Sequence, residues 1–374
     1  MKALCNREGL LNAFAMVTGV APTRSPKPIL QNVKFVVDGE DGSTLLATDL
    51  EVGIRHRVLG VQVEEPGAVI LPTLKVGSIL RTSTDDELSI ETVDDQILIR
   101  GRHSEFKLPS DNPEHFPEVP DFAALSYHVV SAADLRRLIR RTSFATDPES
   151  TRYALGGCLI EFTPESLTMV GTDGRRLARM IAPADIENPD AAPSPSGSPV
   201  VPVKALKILE RNINDDDPPV HIAIQSDKNV LVRTENAVIY SRLVEGRFPR
   251  YQDVFPTHVE NKVSVEVGPL RMAVEQASIV TSEESRGVDF NFSEGVLRLA
   301  SQAADVGSSH VDLPIGYEGK PVEITFDPRY LTDALKTLDD ASTVHIELID
   351  SKNAAVFKTD DRYTYVVMPL TRER

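Results

Sequence analysis

Apolar residues return every three to four positions in three separated stretches: Arg7 to Val17 (REGLLNAFAMV), Ala132 to Thr142 (AADLRRLIRRT) and Val267 to Ala277 (VGPLRMAVEQA). That period belongs to a helix buried on one side, so each stretch predicts an amphipathic helix. Leu10, Leu135 and Leu270 take equivalent places, 125 and 135 residues apart, and the spacing is that of an internal repeat. Two further landmarks recur with it. A helix opening at a proline is predicted in LPTLKV, VPVKAL and DPRYLT, where Pro72, Pro202 and Pro328 stand. Proline suits the first helical position because the N–H it lacks would have had no partner there. Apolar and polar residues then alternate around an acidic turn in Ile90 to Ile99, Ile222 to Val232 and Ile346 to Phe357, which predicts three hairpins.

Between the first helix and the proline helix, each repeat carries more alternating, strand-like sequence, such as LQNVKFVV, GGCLIEF and GVDFNF. Each unit therefore reads as helix, strands, helix, strands, and the chain as three α+β domains. The expected boundaries lie near Asp121 to Tyr127 and Pro256 to Lys262, giving domains 1–123, 124–257 and 258–374. The stretch Ala184 to Pro199 (ADIENPDAAPSPSGSP) has the composition of a linker, but its place inside the second repeat makes it a surface loop.

Charge sharpens this picture. The 374-residue chain has a net charge of -16, yet Ser131 to Ser143 carries +3, and Pro202 to Arg211 and Pro72 to Thr84 carry +2 each. These helices hold +7 and leave -23 to the rest, so a basic surface sits on an acidic body. On the helix from Ser131, Arg136, Arg137, Arg140 and Arg141 fall within an arc of roughly 140° opposite Leu135, Leu138 and Ile139. Two readings of that face stay open. One is phosphate contact with a polyanion, which guanidinium groups suit; the other is a solvated face paired with local carboxylates.

Other chemistries find little footing. No phosphate loop, GxGxxG, HExxH or metal-spaced Cys/His cluster occurs, and no cofactor or metal is expected. Asp173 lies in Thr-Asp-Gly, a turn sequence, with no second acidic residue at a useful spacing for catalysis. Cys5 and Cys158 are too few for a disulfide framework and are expected as small buried residues. No apolar run approaches the roughly 18 residues of a membrane span, and the expectation is a soluble, cytoplasmic protein.

Over its whole length the chain resembles the bacterial DNA polymerase III beta subunit, the sliding clamp family. The resemblance rests on RSPKPIL (Arg24 to Leu30), ATDLE (Ala47 to Glu51), STRYALGG (Ser150 to Gly157), GTDGRRLA (Gly171 to Ala178), LVEGRFPRY (Leu243 to Tyr251), SRGV (Ser285 to Val288) and YVVMPL (Tyr365 to Leu370). It implies a head-to-tail homodimeric ring of clamp domains, helices lining the hole and antiparallel sheets outside. Such a ring encircles double-stranded DNA and tethers the replicative DNA polymerase; it has no catalytic role. Given a ring of inward helices packed roughly 8 to 10 Å apart, six helices enclose less than about 20 Å, too little for a duplex. Twelve enclose roughly 30 to 38 Å, so two chains fit. The competing reading is a repeat-built interaction scaffold with no DNA threaded through it.

The resemblance also implies sites. Phosphate contacts fall to Arg24 and Lys204, to which the face analysis adds Arg136, Arg137, Arg140, Arg141 and Lys207. A pocket for short apolar peptides of polymerase, clamp loader and repair proteins is implied at Arg152, Leu155, Thr172, Gly174, Arg175, Arg176, Leu177, Pro249, Val254, Tyr330, Val366, Val367, Met368, Pro369 and Leu370. Arg175, Asp253 and Ser285 stand where the family pattern favours a histidine, a basic residue and an aromatic. Ring closure is implied between Phe106 and Leu108, with Lys75, of one chain and Ile279 and Val280 of the other.

Overall fold

The computed structural model describes residues 1–40, 42–124, 126–150, 154–188, 199–225, 228–256, 258–282 and 286–370. Six α-helices occur among them: α1 (Arg7–Thr18), α2 (Thr73–Thr82), α3 (Ala132–Thr142), α4 (Val203–Arg211), α5 (Val267–Ala277) and α6 (Pro328–Leu335). The repeat is legible residue by residue in what the odd-numbered helices bury. Leu10, Ala13, Phe14 and Val17 of α1 correspond to Leu135, Leu138, Ile139 and Thr142 of α3 and to Leu270, Ala273, Val274 and Ala277 of α5. All three sets follow i, i+3, i+4, i+7, the stripe a helix needs to cover a core. Thr142 is the polar exception, and its hydroxyl donates back to the Leu138 carbonyl at 2.7 Å, so its burial leaves no unsatisfied donor.

Helix starts are fixed locally. Asn6 caps α1 by accepting the Gly9 N–H, Ser131 caps α3 by accepting the Asp134 N–H, and Asp327 caps α6 by accepting the Arg329 N–H. Of the three helix-opening prolines, only Pro328 takes the first helical position. Pro72 and Pro202 sit one place earlier, as the caps of α2 and α4, with φ of -61° and -56° and extended ψ. The ring fixes φ near this value in either place, so a proline marks the start without choosing between the two.

The chain packs as two units, residues 1–136 with 184–243 and residues 137–183 with 244–374. In the first, an antiparallel sheet orders the strands Val61–Glu65, Lys2–Asn6, Glu87–Val93, Gln96–Arg100 and Glu105–Pro109. A second, nine-stranded sheet crosses from one repeat to the next where Ala237–Arg242 pairs antiparallel with Val52–Arg57, Ile239 opposite Ile54. In the second unit, Arg176–Pro183 pairs in the same way with Tyr363–Val367, Ala178 opposite Tyr365. A four-stranded sheet there ends on the edge strand Gly307–Pro314, over a core that includes Phe290, Phe292, Phe326 and Tyr317. The middle repeat thus gives strands to both units. Packing units and sequence repeats do not coincide, because sheet hydrogen bonds run on past a repeat's end wherever the next repeat offers a strand of matching register.

The first hairpin turns at Asp94 and Asp95, with Asp94 at a positive φ of 53°. In the second, Gln225 pairs with Asn229 and the turn residues 226–227 lie outside the described residues. The third has a longer loop, in which Asp350 accepts the Lys352 and Asn353 N–H groups. The stretch expected as a loop from Ala184 instead opens with a short strand, Asp185–Glu187, that pairs with Tyr127–Val129. Its residues 189–198, and Thr371 to Arg374, lie outside the described residues.

Candidate functional site: an apolar cleft and a cationic helix face

The second unit carries a cavity of about 280 Å³ lined by Leu155, Thr172, Gly174, Arg175, Arg176, Leu177, Pro249, Arg250, Tyr251, Val254, Val366 and Met368. Leu155, Leu177, Val366 and Tyr251 are buried and form its walls, whereas Val254 and Met368 are 43% and 45% exposed. An open cavity lined mostly by such side chains suits an apolar ligand.

One turn sets the geometry. Gly174 takes φ of 86°, a left-handed conformation that costs glycine nothing. Asp173 closes the turn by accepting the N–H groups of Arg175 (2.9 Å) and Arg176 (3.0 Å), while the Thr172 hydroxyl accepts that of Gly174. The turn reading of Thr-Asp-Gly therefore holds. It aims Arg176 inward, where Nε donates to Asp173 at 3.0 Å, and two further nitrogens donate to Asp333 at 2.7 Å and to the Phe144 carbonyl at 3.1 Å. The guanidinium also lies over Tyr330, 4.7 Å from the ring centroid. Burial works against its charge, but the Asp333 hydrogen bond and the surrounding negative charge hold its pKa above the ordinary arginine value. Arg176 is a permanently charged post with its donors already committed. Arg175 is held above the ordinary arginine value first by a hydrogen bond with the Tyr330 side chain.

The last strand supplies the other wall. Side chains alternate along it, so Val366 and Met368 reach the cavity while Val367, fully buried, faces the opposite side. Its end is pinned where Met368 N–H donates to the Arg175 carbonyl at 2.9 Å and Leu370 N–H to that of Thr325 at 2.8 Å. Of the expected pocket residues, Tyr330 thus stands behind the two arginines, and Val367, Pro369 and Leu370 are not among the lining residues. Arg152 and Ser285 lie outside the described residues. Arg250 and Tyr251 line the cavity and were not singled out in the sequence, although both end the quoted stretch LVEGRFPRY. Tyr251 donates to Glu161 at 2.5 Å; burial and that bond push its hydroxyl pKa up. Asp253 pairs with Arg250 at 3.4 Å.

The arginine face of α3 is not uniform, and part of it is paired with carboxylates, as the second reading of the sequence expects, although those carboxylates come from distant segments. Arg136 is bonded to Asp215 at 2.6 Å and Arg141 to Asp361 at 2.5 Å, with side chains only 20% and 12% exposed. The Nε of each is buried without a hydrogen-bond partner. Arg137 is 42% exposed and lies 3.8 Å from the same Asp361; Arg140 is exposed. The wheel explains the split: Arg136 and Arg141 stand at the two edges of the arc, where a long side chain folds down onto the flank and meets a carboxylate. The Asp361 carboxyl, against the cost of its burial, is held below the usual range by Thr359 and Arg141. On α4, Lys204 is paired with Asp49, and Lys207 is exposed, as is Arg24. Elsewhere, Ile279 is 76% and Phe106 36% exposed; Lys75 is exposed, and Leu108 and Val280 are half-buried. Cys5 and Cys158 are both buried, which pushes each thiol up to about 12. No cluster of metal-ligating side chains and no helix long and apolar enough to cross a membrane occurs among the described residues.

Comparison with known proteins identifies the architecture. Family models of the DNA polymerase III beta subunit match in order: its N-terminal domain at residues 1–120, its central domain at 129–250 and its C-terminal domain at 252–371. The chain belongs to the DNA polymerase III beta subunit family. The beta sliding clamp of Chlamydia trachomatis is 30% identical over 372 residues, 99% of this chain and 87% of that one. That of Pseudomonas putida is 32% identical, over 97% of this chain and 98% of its own. A solved sliding clamp from Pseudomonas aeruginosa bound to griselimycin superposes with a TM-score of 0.91 at 31% identity, covering 100% of both chains. The clamp of Bacillus subtilis, at 23% identity, shares the fold with a TM-score of 0.91 over 100% of this chain and 99% of its own. The fold is the three-domain sliding-clamp fold.

Proposed function

We propose that this chain is a DNA sliding clamp that acts without a catalytic step of its own, closing as a head-to-tail dimer around duplex DNA and tethering the replicative polymerase. The observation that carries the reading is the match of three consecutive clamp domains, in order, over nearly the whole chain. The domains divide near residues 123/124 and 257/258. Closure brings Phe106 and Leu108 against Ile279 and Val280 of a second copy. Two exposed sheet edges, Glu105–Pro109 and Gly307–Pro314, favour this, since an edge left bare in a monomer is a template for another chain. A heterologous contact of this kind closes after two copies when the rotation allows. The cleft under Met368 takes short apolar segments of the polymerase, clamp loader and repair proteins, because aliphatic walls and a methionine adapt to varied side chains. Duplex DNA is held by the cationic helices through its phosphates, without reading sequence.

Retention on circular and on linearised duplex tests the reading. A clamp loaded on a closed circle stays bound through a salt wash and is lost once the circle is cut, because only topology holds it. Equal retention on both forms overturns threading and leaves a scaffold.

A further inference from the structure

We infer that Asp215, Asp361 and Asp49 are built-in counterions of the cationic helices, keeping Arg136, Arg137, Arg141 and Lys204 part-neutralised so that duplex DNA is held loosely enough to slide. The inference rests on the DNA reading above and adds to it the residues that set the strength of the hold.

The geometry of the carboxylates argues against chance surface pairing. In Asp361, Oδ1 accepts the Thr359 hydroxyl at 2.5 Å, which leaves Oδ2 for Arg141 at 2.5 Å and Arg137 at 3.8 Å. In Asp49, Oδ1 accepts the N–H groups of Glu51 (2.9 Å) and Val52 (2.7 Å), which leaves Oδ2 for Lys204. In both, the local turn fixes one oxygen and presents the other to a cation. A surface ion pair is usually weak because two long side chains must be ordered to form it. Here the carboxylate is already ordered, so only the cation is restrained. Asp215, 60% exposed, completes the set with its 2.6 Å bond to Arg136.

The consequence concerns DNA. Affinity for a duplex and its salt dependence scale with the number of phosphates a protein neutralises. A cation sharing a carboxylate offers less net charge to a phosphate, and full contact requires the carboxylate to be displaced. Displacement exchanges one anion for another at little gain, so contacts form and break readily along the backbone. A sequence count of four arginines overstates the hold of α3, since two carboxylates stand against it.

The test uses the full chain with Asp361→Asn, Asp215→Asn and the double substitution, and reads binding to a short labelled duplex by fluorescence anisotropy between roughly 50 and 200 mM salt. Each single variant is expected to bind more tightly, with a salt slope steeper by up to about one unit, and the double variant by up to about two. Asparagine keeps the size of the side chain and an oxygen for Thr359. Asp215 lies in an exposed loop, so its variant gives the answer even if Asp361→Asn fails to fold. Slopes equal to that of the unsubstituted protein overturn the counterion role. Arg137→Ala with Arg140→Ala separates the causes of such a failure. If that pair flattens the slope while the aspartate variants do nothing, only the counterion role falls; if neither changes it, the DNA reading of this face falls too.

Discussion

Arginine borders both the cleft and the outer face of α3, and the two regions use it in opposite ways. In the cleft, Arg176 spends its donors on Asp173, Asp333 and a backbone carbonyl and its flat face on Tyr330, so it holds the walls in place and leaves apolar area open between them. On α3 the apolar residues are spent beneath the helix, and charge is what remains outside, itself half-tied by Asp215 and Asp361. On the proposed function, apolar area in the shaped cavity gives affinity for partner segments, and phosphate contact by part-neutralised cations gives a weak hold that is indifferent to sequence. A protein that must grip partners and slip along DNA needs both, kept on different side chains.

Breaking the proposed dimer separates the two regions most sharply. Ile279→Asp with Val280→Asp places charge where the proposed interface buries apolar side chains, at a cost of several kcal/mol. Sedimentation is expected to show a folded monomer of 41.1 kDa that has lost retention on circular DNA but still binds peptide in the cleft. A dimer that persists places the interface elsewhere. A smaller effect is expected from Met368→Ala with Val254→Ala, two lining residues of the cleft, which removes aliphatic area worth on the order of 1–2 kcal/mol. Calorimetry should show partner-peptide affinity falling about tenfold while the salt slope for DNA stays unchanged. The smallest change is expected from the helix face. Arg137→Ala with Arg140→Ala should flatten the salt slope by about one to two units, and adding Arg136→Ala and Arg141→Ala should flatten it by less again, because those two side chains are only 20% and 12% exposed. Equal contributions from the four would mean that burial of Arg136 and Arg141 does not limit their reach to phosphate.

Much of the fold was legible because its signals are local. The stripe Leu10, Ala13, Phe14, Val17 and its two counterparts are readable from spacing alone, and the turn at Gly174 follows from Thr-Asp-Gly. The cleft was legible only through resemblance, and that route counted Val367 as lining and passed over Arg250 and Tyr251. Strand alternation corrects the first once the register is known. The second had a signal, the stretch FPRY, but nothing in it says which of its side chains turns inward.

By itself the sequence determined the repeat, the helix faces, the hairpins and the family, since each depends on residues within a few positions of one another or on motifs in order along the chain. Tertiary structure alone decided which carboxylates reach the arginines: Asp215 is 79 residues from Arg136, and Asp361 is 220 residues from Arg141. It also decided that one cavity gathers Leu155, the turn at Gly174, Pro249 to Val254 and the end of the last strand. Periodicity tells a side chain which face of its own element it occupies. The partner across that face comes from a distant segment, and only the packed chain brings the two within a hydrogen bond.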